Sequence, residues 1–282
     1  MRVRLVVSLC LATLVVASAS AGTATPPAVL VIGDSVATGM YWNDDAIAVM
    51  QEKLGVYWDV AVCRTIDGTS CPFDGERAPT LMQVVAARGT VPPTVVVEVG
   101  YNDPAGMFAS EVDNAMSALT EAGATHVLWL TMRESRAPYP TLNALLDAAA
   151  ARWPELELVD WNAFSEGHAS WFQTDDVHLT PEGGLAMAHL THAAVMQVVD
   201  PLRVSSTPLR LQAGRAYAMK LRAQGGTPPY RWRVAGGRPP RGFHLLANGT
   251  LVLTGTSRAQ ATLMLAVTDA DGTAANLQVL ER

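Results

Sequence analysis

The sequence predicts an α/β unit, with a parallel sheet held between helices, followed by a small all-β unit. Three observations predict it. Between about residues 28 and 199, short β-rich runs alternate with stretches of helical periodicity. Those runs are almost unbroken in apolar character, as strands covered on both faces must be. Near residue 200 the texture and the charge change together. Residues 22–200 carry 7 Lys+Arg against 23 Asp+Glu, a balance of −16, whereas residues 201–282 carry 11 against 3, a balance of +8. A switch of that size marks a boundary, with Pro201, Ser205, Ser206, Thr207 and Pro208 as the joint.

In chain order, the strands of the first unit are expected at Val29–Ile32, Trp58–Val62, Thr94–Val99, His126–Thr131 and Leu156–Asp160. Helices are expected at Ala46–Leu54, Leu81–Arg88, Phe108–Ala122 and Leu142–Arg152. Phe108, Val112, Met116 and Leu119 fall on one helical face. A last helix runs from Pro181 to about Val199, with Thr180 as N-cap and proline in the first turn. Beyond residue 200 helical periodicity stops. Seven short strands are expected at Leu209–Leu211, Ala216–Leu221, Tyr230–Val234, Phe243–Leu246, Thr250–Leu253, Leu263–Thr268 and Leu277–Leu280. Asn248-Gly249 reads as a type I′ hairpin turn between two of them, and the whole reads as a β-sandwich.

The first 21 residues read as a secretory signal peptide. Arg2 and Arg4 precede the apolar run Leu5–Val16, and Ala17, Ser18, Ala19, Ser20 and Ala21 follow it. Cleavage falls after Ala21 or after Ala19. The run is too short to span a bilayer, and no later segment approaches that length, so the mature chain is expected to lack a transmembrane segment and to be secreted or held in the cell envelope. Cys10 is discarded with the leader. Cys63 and Cys71 remain, eight residues apart, and export into an oxidising compartment predicts a disulfide between them. Neither cysteine has a partner His or second Cys pair, so no metal site is expected.

An open parallel sheet builds its site at the carboxyl ends of its strands. Gly33-Asp34-Ser35 follows the first strand, Gly100-Tyr101-Asn102-Asp103 the third, and Asp175-Asp176-Val177-His178 precedes the last helix. Serine becomes a nucleophile when a base takes its proton, neutral histidine is that base near pH 7, and a carboxylate fixes the histidine tautomer. Ser35, His178 and Asp175 are therefore the candidate catalytic set. The Ser35 N–H and the Asn102 amide are candidate donors to an oxyanion.

These three blocks, in this order, resemble those of the SGNH (GDSL-type) hydrolase family over about residues 28–200. The resemblance implies a flavodoxin-like three-layer fold and ester hydrolysis. It also implies Ser35 as nucleophile, His178 as base, Asp175 as its orienter and Asn102 as oxyanion donor. One block departs from the family pattern. The glycine expected soon after the second strand is replaced by Cys63-Arg64-Thr65-Ile66-Asp67-Gly68, which leaves the third donor open between Gly68 and the Arg64 N–H. Arg64 is also a candidate contact for an anionic substrate group, or else a surface ion pair. No P-loop is present, and no G-x-G-x-x-G follows a strand, so nothing calls for a nucleotide or other cofactor.

Gly225-Gly226-Thr227-Pro228-Pro229-Tyr230-Arg231-Trp232, Arg238-Pro239-Pro240-Arg241-Gly242-Phe243, Asn248-Gly249-Thr250-Leu251 and Gly255-Thr256 resemble Ig-like modules of bacterial surface and secreted proteins. The resemblance covers about 205–282 and implies an accessory role with Trp232 in the core. The basic balance suits either an anionic wall polymer or docking on the acidic unit. Basic runs and aromatic ladders for nucleic acid are lacking. The sequence thus leads to a leader (1–21), a catalytic unit (26–200) and an Ig-like unit (205–282). The expected activity is hydrolysis of O-acyl esters of carbohydrate or wall polymer through an acyl-enzyme. The rivals are a lipase or phospholipase of the same family, a non-catalytic surface or wall-binding protein that keeps the fold, and acyl transfer by the same residues to a sugar acceptor instead of water.

Overall fold

The structure, a computed structural model, describes residues 25–212, 214–254 and 261–281. The expected leader (1–21, with Cys10) and the Gly255-Thr256 part of the β-unit resemblance lie outside these residues.

The first unit runs β1 (Ala28–Gly33), α1 (Thr38–Tyr41), α2 (Asp44–Met50), β2 (Gly55–Val60), β3 (Pro72–Phe73), β4 (Glu76–Arg77), α3 (Leu81–Arg88), β5 (Thr94–Glu98), α4 (Ala105–Glu121), β6 (His126–Leu130), α5 (Tyr139–Ala150), β7 (Leu156–Val159), α6 (Trp161–Phe164), a 3-10 turn at Ala169–Trp171, and α7 (Pro181–Val199). Five strands form one sheet in the order β2-β1-β5-β6-β7, every neighbouring pair parallel. This is the flavodoxin-like order, and its direction reverses between β1 and β5. Gly33 of β1 is in register with Glu98 of β5, so the loops leaving these strands emerge side by side at the crevice.

Apolar content explains the layers. β1 and β5 are buried along nearly their whole length, under helices on both faces. Helix α4 buries Phe108, Val112, Ala115, Met116 and Leu119, the stripe expected from its periodicity. It starts at Ala105, earlier than that stripe indicates, because Pro104 occupies the N-cap position. Helix α3 begins with a capping box, in which Thr80 Oγ1 accepts from Gln83 N–H and the Gln83 side chain accepts from Thr80 N–H. Strand β2 begins at Gly55, three residues before the expected start, and ends at Val60. It is an edge strand with exposed Tyr57 and a polar Asp59, so continuous burial is not its signature. The small β3–β4 hairpin was not expected from the sequence. The Cys63–Cys71 disulfide is present, with Cα atoms 5.2 Å apart, and closes the loop leading into that hairpin.

Helix α7 packs closely against α1 and against the 3-10 turn at Ala169–Trp171, and one glycine permits each approach. A side-chain carbon at Gly184 would lie 2.0 Å from the Gly39 carbonyl oxygen, and one at Gly183 would lie 2.0 Å from that of Trp171. This approach carries the segment before α7, and with it His178, onto the turn after β1.

The second unit contains β8 (Leu209–Leu211), β9 (Ala216–Lys220), β10 (Arg231–Gly236), β11 (Phe243–Leu245), β12 (Thr250–Thr254), β13 (Ala261–Thr268) and β14 (Ala274–Glu281). They form two sheets, β10-β13-β14-β8 and β11-β12-β9, antiparallel except for the parallel β14–β8 pair. Residues of both sheets share one core, with Trp232, Leu251, Leu253, Leu265 and Val267 buried in it. That core is separate from the core of the first unit. Asn248-Gly249 lies in the β11–β12 connection, but only Gly249 has positive φ (85°), whereas a type I′ turn needs it at both central residues. Gly249 is required for a second reason: a side-chain carbon there would meet the Trp232 ring at 2.8 Å.

Candidate active site

Ser35 sits on the turn between β1 and α1, half-buried. Local hydrogen bonds shape this turn. Asp34 N–H donates to the Glu98 carbonyl at 2.8 Å, Val36 N–H to Asp34 Oδ1 at 2.9 Å, and Ala37 N–H to Glu98 Oε2 at 2.9 Å. The N-cap position of α1 is Ala37, so Ser35 is not there to cap the helix. Among the described residues Ser35 N–H has no acceptor, as an oxyanion donor requires.

His178 comes from the segment between the 3-10 turn and α7. That segment is pinned by the Phe172–Leu179 bridge, by Gln173 N–H donating to the His178 carbonyl at 2.7 Å and by Thr180 N–H donating to the Trp171 carbonyl at 2.9 Å. His178 Nε2 lies 3.0 Å from Ser35 Oγ across 143 residues of chain, and His178 Nδ1 lies 2.6 Å from Asp175 Oδ2. Asp175 Oδ1 also accepts from the N–H groups of Val177 and His178, both at 3.0 Å. Partial burial works to raise the Asp175 pKa, but the His178 ring and the two N–H donors outweigh it and hold the carboxyl down at about 2. Asp175 is therefore ionised at neutral pH and accepts from Nδ1–H, which leaves Nε2 free to take a proton from Ser35.

Asn102 stands on the turn after β5. Its Nδ2 donates to the Arg64 carbonyl at 3.0 Å and lies 3.5 Å from Asp34 Oδ2. The second contact is long, so one N–H of this amide is held only loosely. Asp103 Oδ1 accepts from Ile66 N–H at 2.9 Å and ties the β5 turn to the loop after β2. Burial of Asp103, together with the charges of Glu111, Asp34 and Asp67, outweighs that N–H and pushes its pKa up to about 7.

The loop after β2 departs from two expectations. Arg64 is buried, 1% exposed, and its guanidinium is occupied by the Asp59 carboxylate at 2.8 Å, the Asp59 carbonyl and the Pro79 carbonyl at 2.9 Å. It is neither a substrate contact nor a surface ion pair, because every face of the group already has an internal acceptor. Its carbonyl, not its charge, reaches the site through Asn102. Gly68 N–H donates to Asp67 Oδ1 at 2.7 Å and presents no free donor. Arg64 N–H lies 3.4 Å from the Ala61 carbonyl.

Three features of the rim escaped the sequence reading. Arg136 Nη1 donates to the Asp175 carbonyl at 3.2 Å, and Arg133 Nη2 stands 3.7 Å from Asp176 Oδ1 with its guanidinium over the Phe172 ring. Glu98 lies beneath the nucleophile turn; a lone acid at the end of an apolar strand was the available signal. The site is open: the His178 and Asp175 side chains are each 41% exposed. Two hollows are lined by chain neighbours of the site residues, one of about 310 Å³ bounded by Arg133, Asn162 and Ser165 and one of about 360 Å³ bounded by Thr38, Trp42 and Gln173. His192 Nε2 contacts the Glu52 carbonyl, and no cluster of three or more His, Cys, Asp or Glu suited to a metal occurs among the described residues. None of the helices among the described residues is long and apolar enough to cross a membrane.

No family model matches the chain. The O-acetyltransferase OatA of Staphylococcus aureus strain NCTC 8325 is 32% identical over 96 residues, 34% of this chain and 15% of that protein. Relatives described as O-acetyltransferases in other S. aureus strains reach 36% identity over 93 residues, and the chain again spans only 15% of their length. Among solved structures, the native aryl esterase of M. smegmatis aligns at 14% identity with a TM-score of 0.46, covering 61% of this chain and 100% of that one. A carbohydrate acetylesterase from Sinorhizobium meliloti aligns at 16% identity with a TM-score of 0.43, covering 60% and 98%.

Proposed function

We propose that the chain is an exported serine ester hydrolase of the SGNH type, with a catalytic unit at residues 26–200 and an accessory Ig-like unit at 205–282. One observation carries this reading: the unbroken contact from Ser35 Oγ through His178 to Asp175, at 3.0 and 2.6 Å, between segments far apart in the chain. Ser35 Oγ attacks the ester carbonyl carbon while His178 Nε2 takes its proton. The carbonyl oxygen becomes an oxyanion facing Ser35 N–H and the Asn102 amide. When the intermediate collapses, His178 returns the proton to the departing alcohol oxygen and the acyl group stays on Ser35. Water, deprotonated by the same His178, then attacks the acyl-serine, and as the acid leaves His178 returns the proton to Ser35 Oγ. Asp175 stays ionised throughout and stabilises the imidazolium.

The open rim favours a short acyl group on a bulky carbohydrate or wall polymer over the long chain of a lipase or phospholipase substrate, and the leader-like pattern of residues 1–21 supports a site of action outside the cytoplasm. A second reading keeps the residues and changes the acceptor. Transfer of the acyl group to a sugar hydroxyl instead of water is favoured by the likeness to the S. aureus O-acetyltransferases. The test is release of p-nitrophenol from short- and long-chain p-nitrophenyl esters by the wild type and Ser35→Ala. The expected result is turnover of the short ester that Ser35→Ala abolishes. Equal turnover by the two proteins would remove Ser35 from the mechanism, and no turnover by either would leave a non-catalytic binding protein.

A further inference from the structure

Directly beneath Ser35 lies a group the mechanism does not use. Asp34 and Glu98 are two carboxyl groups at 0% and 2% exposure, joined by a hydrogen bond between their side chains. Unpaired acids are almost never buried so fully, and two carboxylates in contact cannot both ionise in such a place. Their other partners differ. Asp34 is surrounded by donors: Val36 N–H at 2.9 Å, the backbone N–H groups of Tyr101 and Gly100, and the Asn102 amide at 3.5 Å. Glu98 has Ala37 N–H at 2.9 Å on Oε2. The charge therefore rests on Asp34 and the proton on Glu98, whose hydroxyl donates to Asp34.

Resting on the catalytic reading above, we propose that Asp34 and Glu98 share a single proton and act as positioning residues, holding the Ser35 turn and the Asn102 amide in register. The two acids reach both halves of the oxyanion site. Through Val36 and Ala37 they fix the turn that presents Ser35 Oγ and N–H, and through Asp34 Oδ2 they face Asn102. Burial first, and then the mutual charge, pushes Glu98 well above its ordinary range, while burial outweighs the N–H donors and raises Asp34 to about 6. The groups facing the pair oppose a second negative charge. Tyr101, whose hydroxyl accepts from Arg133 N–H, lies on the β5 turn with Asp103. The Arg64 guanidinium, on the loop after β2, is turned to Asp59, and from the α7 side His178 contacts Ser35. Loss of the shared proton at alkaline pH would set two charges against each other and spread the turn.

Glu98→Gln tests this, because the amide keeps an acceptor for Ala37 N–H and a permanent donor to Asp34. Wild type, Glu98→Gln and Glu98→Ala are compared for kcat and KM on p-nitrophenyl acetate across pH, and for Tm across the same range. Glu98→Gln should keep neutral-pH kcat within about twofold and lose the alkaline decline of the wild type. Glu98→Ala should lose about a hundredfold in kcat with little change in KM, the size expected when a reacting group is misplaced by about 1 Å. As pH rises from about 4 to about 8, wild-type Tm should fall relative to that of Glu98→Gln, because at position 98 only the wild type must retain a proton that its unfolded chain releases. Asp103 titrates in both proteins and cancels in the difference. Parallel Tm curves, or a Glu98→Gln enzyme as impaired as Glu98→Ala, would overturn the proposal. A wild type with no esterase activity would sink the catalytic reading, while the Tm comparison would still decide whether the proton is shared. If Glu98→Ala fails to fold, the wild type and Glu98→Gln suffice.

Discussion

The two units of this chain are built from opposite materials. The acidic unit brings polar side chains to one rim of its sheet: a serine, a histidine, an acid and an asparagine amide, with a pair of acids buried below. The basic unit has an equally well-defined core of Trp232, leucines and valines, but its buried acids, Asp269 and Glu281, do not join such a set among the described residues. The contrast teaches where chemistry comes from. Parallel strands all point their carboxyl ends the same way, so loops distant in sequence meet at one edge. In two stacked, mostly antiparallel sheets the strand ends alternate in direction, and polar residues spread over the surface instead of meeting.

The contrast can be broken or sharpened by measurement. Ser35→Ala should lower kcat on a small ester by about 10⁴ or more while leaving Tm unchanged, and a residual rate near wild type would erase the distinction between the units. Trp232→Ala should have the reverse profile. Removal of a buried indole should destabilise the β unit by about 3–5 kcal/mol in a denaturant titration, with kcat unaltered. A parallel drop in kcat would show that the two units are energetically one. Joint replacement of Cys63 and Cys71 by serine should cost about 2–3 kcal/mol if the entropy of an eight-residue closure dominates, read as a lower midpoint of denaturation.

Two smaller effects follow from acids whose pKa values are shifted in opposite directions. The Asp175 pKa is depressed, so its contribution to stability is present above the unfolded value near 3.9 and is lost as pH falls through about 2. The Tm advantage of wild type over Asp175→Asn should therefore shrink in acid, with a modest size because Asp175 is well exposed to solvent. The Asp103 pKa is raised, so its contribution is complete below about 3.9 and is lost as pH rises through about 7. Asp103→Asn should thus raise Tm at pH 8 more than at pH 5, and equal shifts at both pH values would show that Asp103 does not retain a proton.

Much of the architecture was legible in the chain because each signal was local. The apolar runs of β1 and β5, the Phe108–Leu119 stripe, the Thr180-Pro181 start of α7 and the switch of charge near residue 200 all act within a few residues. Strand β2 was displaced because an edge strand mixes Tyr57 and Asp59 into its pattern. The β3–β4 hairpin is too short to leave a periodic trace. Arg64 was misread because its character as a cation is visible in sequence, whereas the Asp59 carboxylate and the Pro79 carbonyl that consume it are brought by folding. Gly68 suited a turn, which it makes, but its N–H is spent within that turn. Glu98 was passed over because a single acid at the end of a strand gives no sign that a second acid will be set against it.

The sequence by itself determined most of the elements, the order of the sheet's building blocks and the residue types able to perform acyl transfer, because helix, strand and turn preferences are set by near neighbours. The tertiary structure alone decided which polar groups touch. Glycine-lined contact between α1 and α7 brings His178 to Ser35, and the register of β1 with β5 stacks Asp34 on Glu98. Hydrogen-bond geometry and protonation depend on distances of a few ångströms between distant segments, and no local preference encodes those.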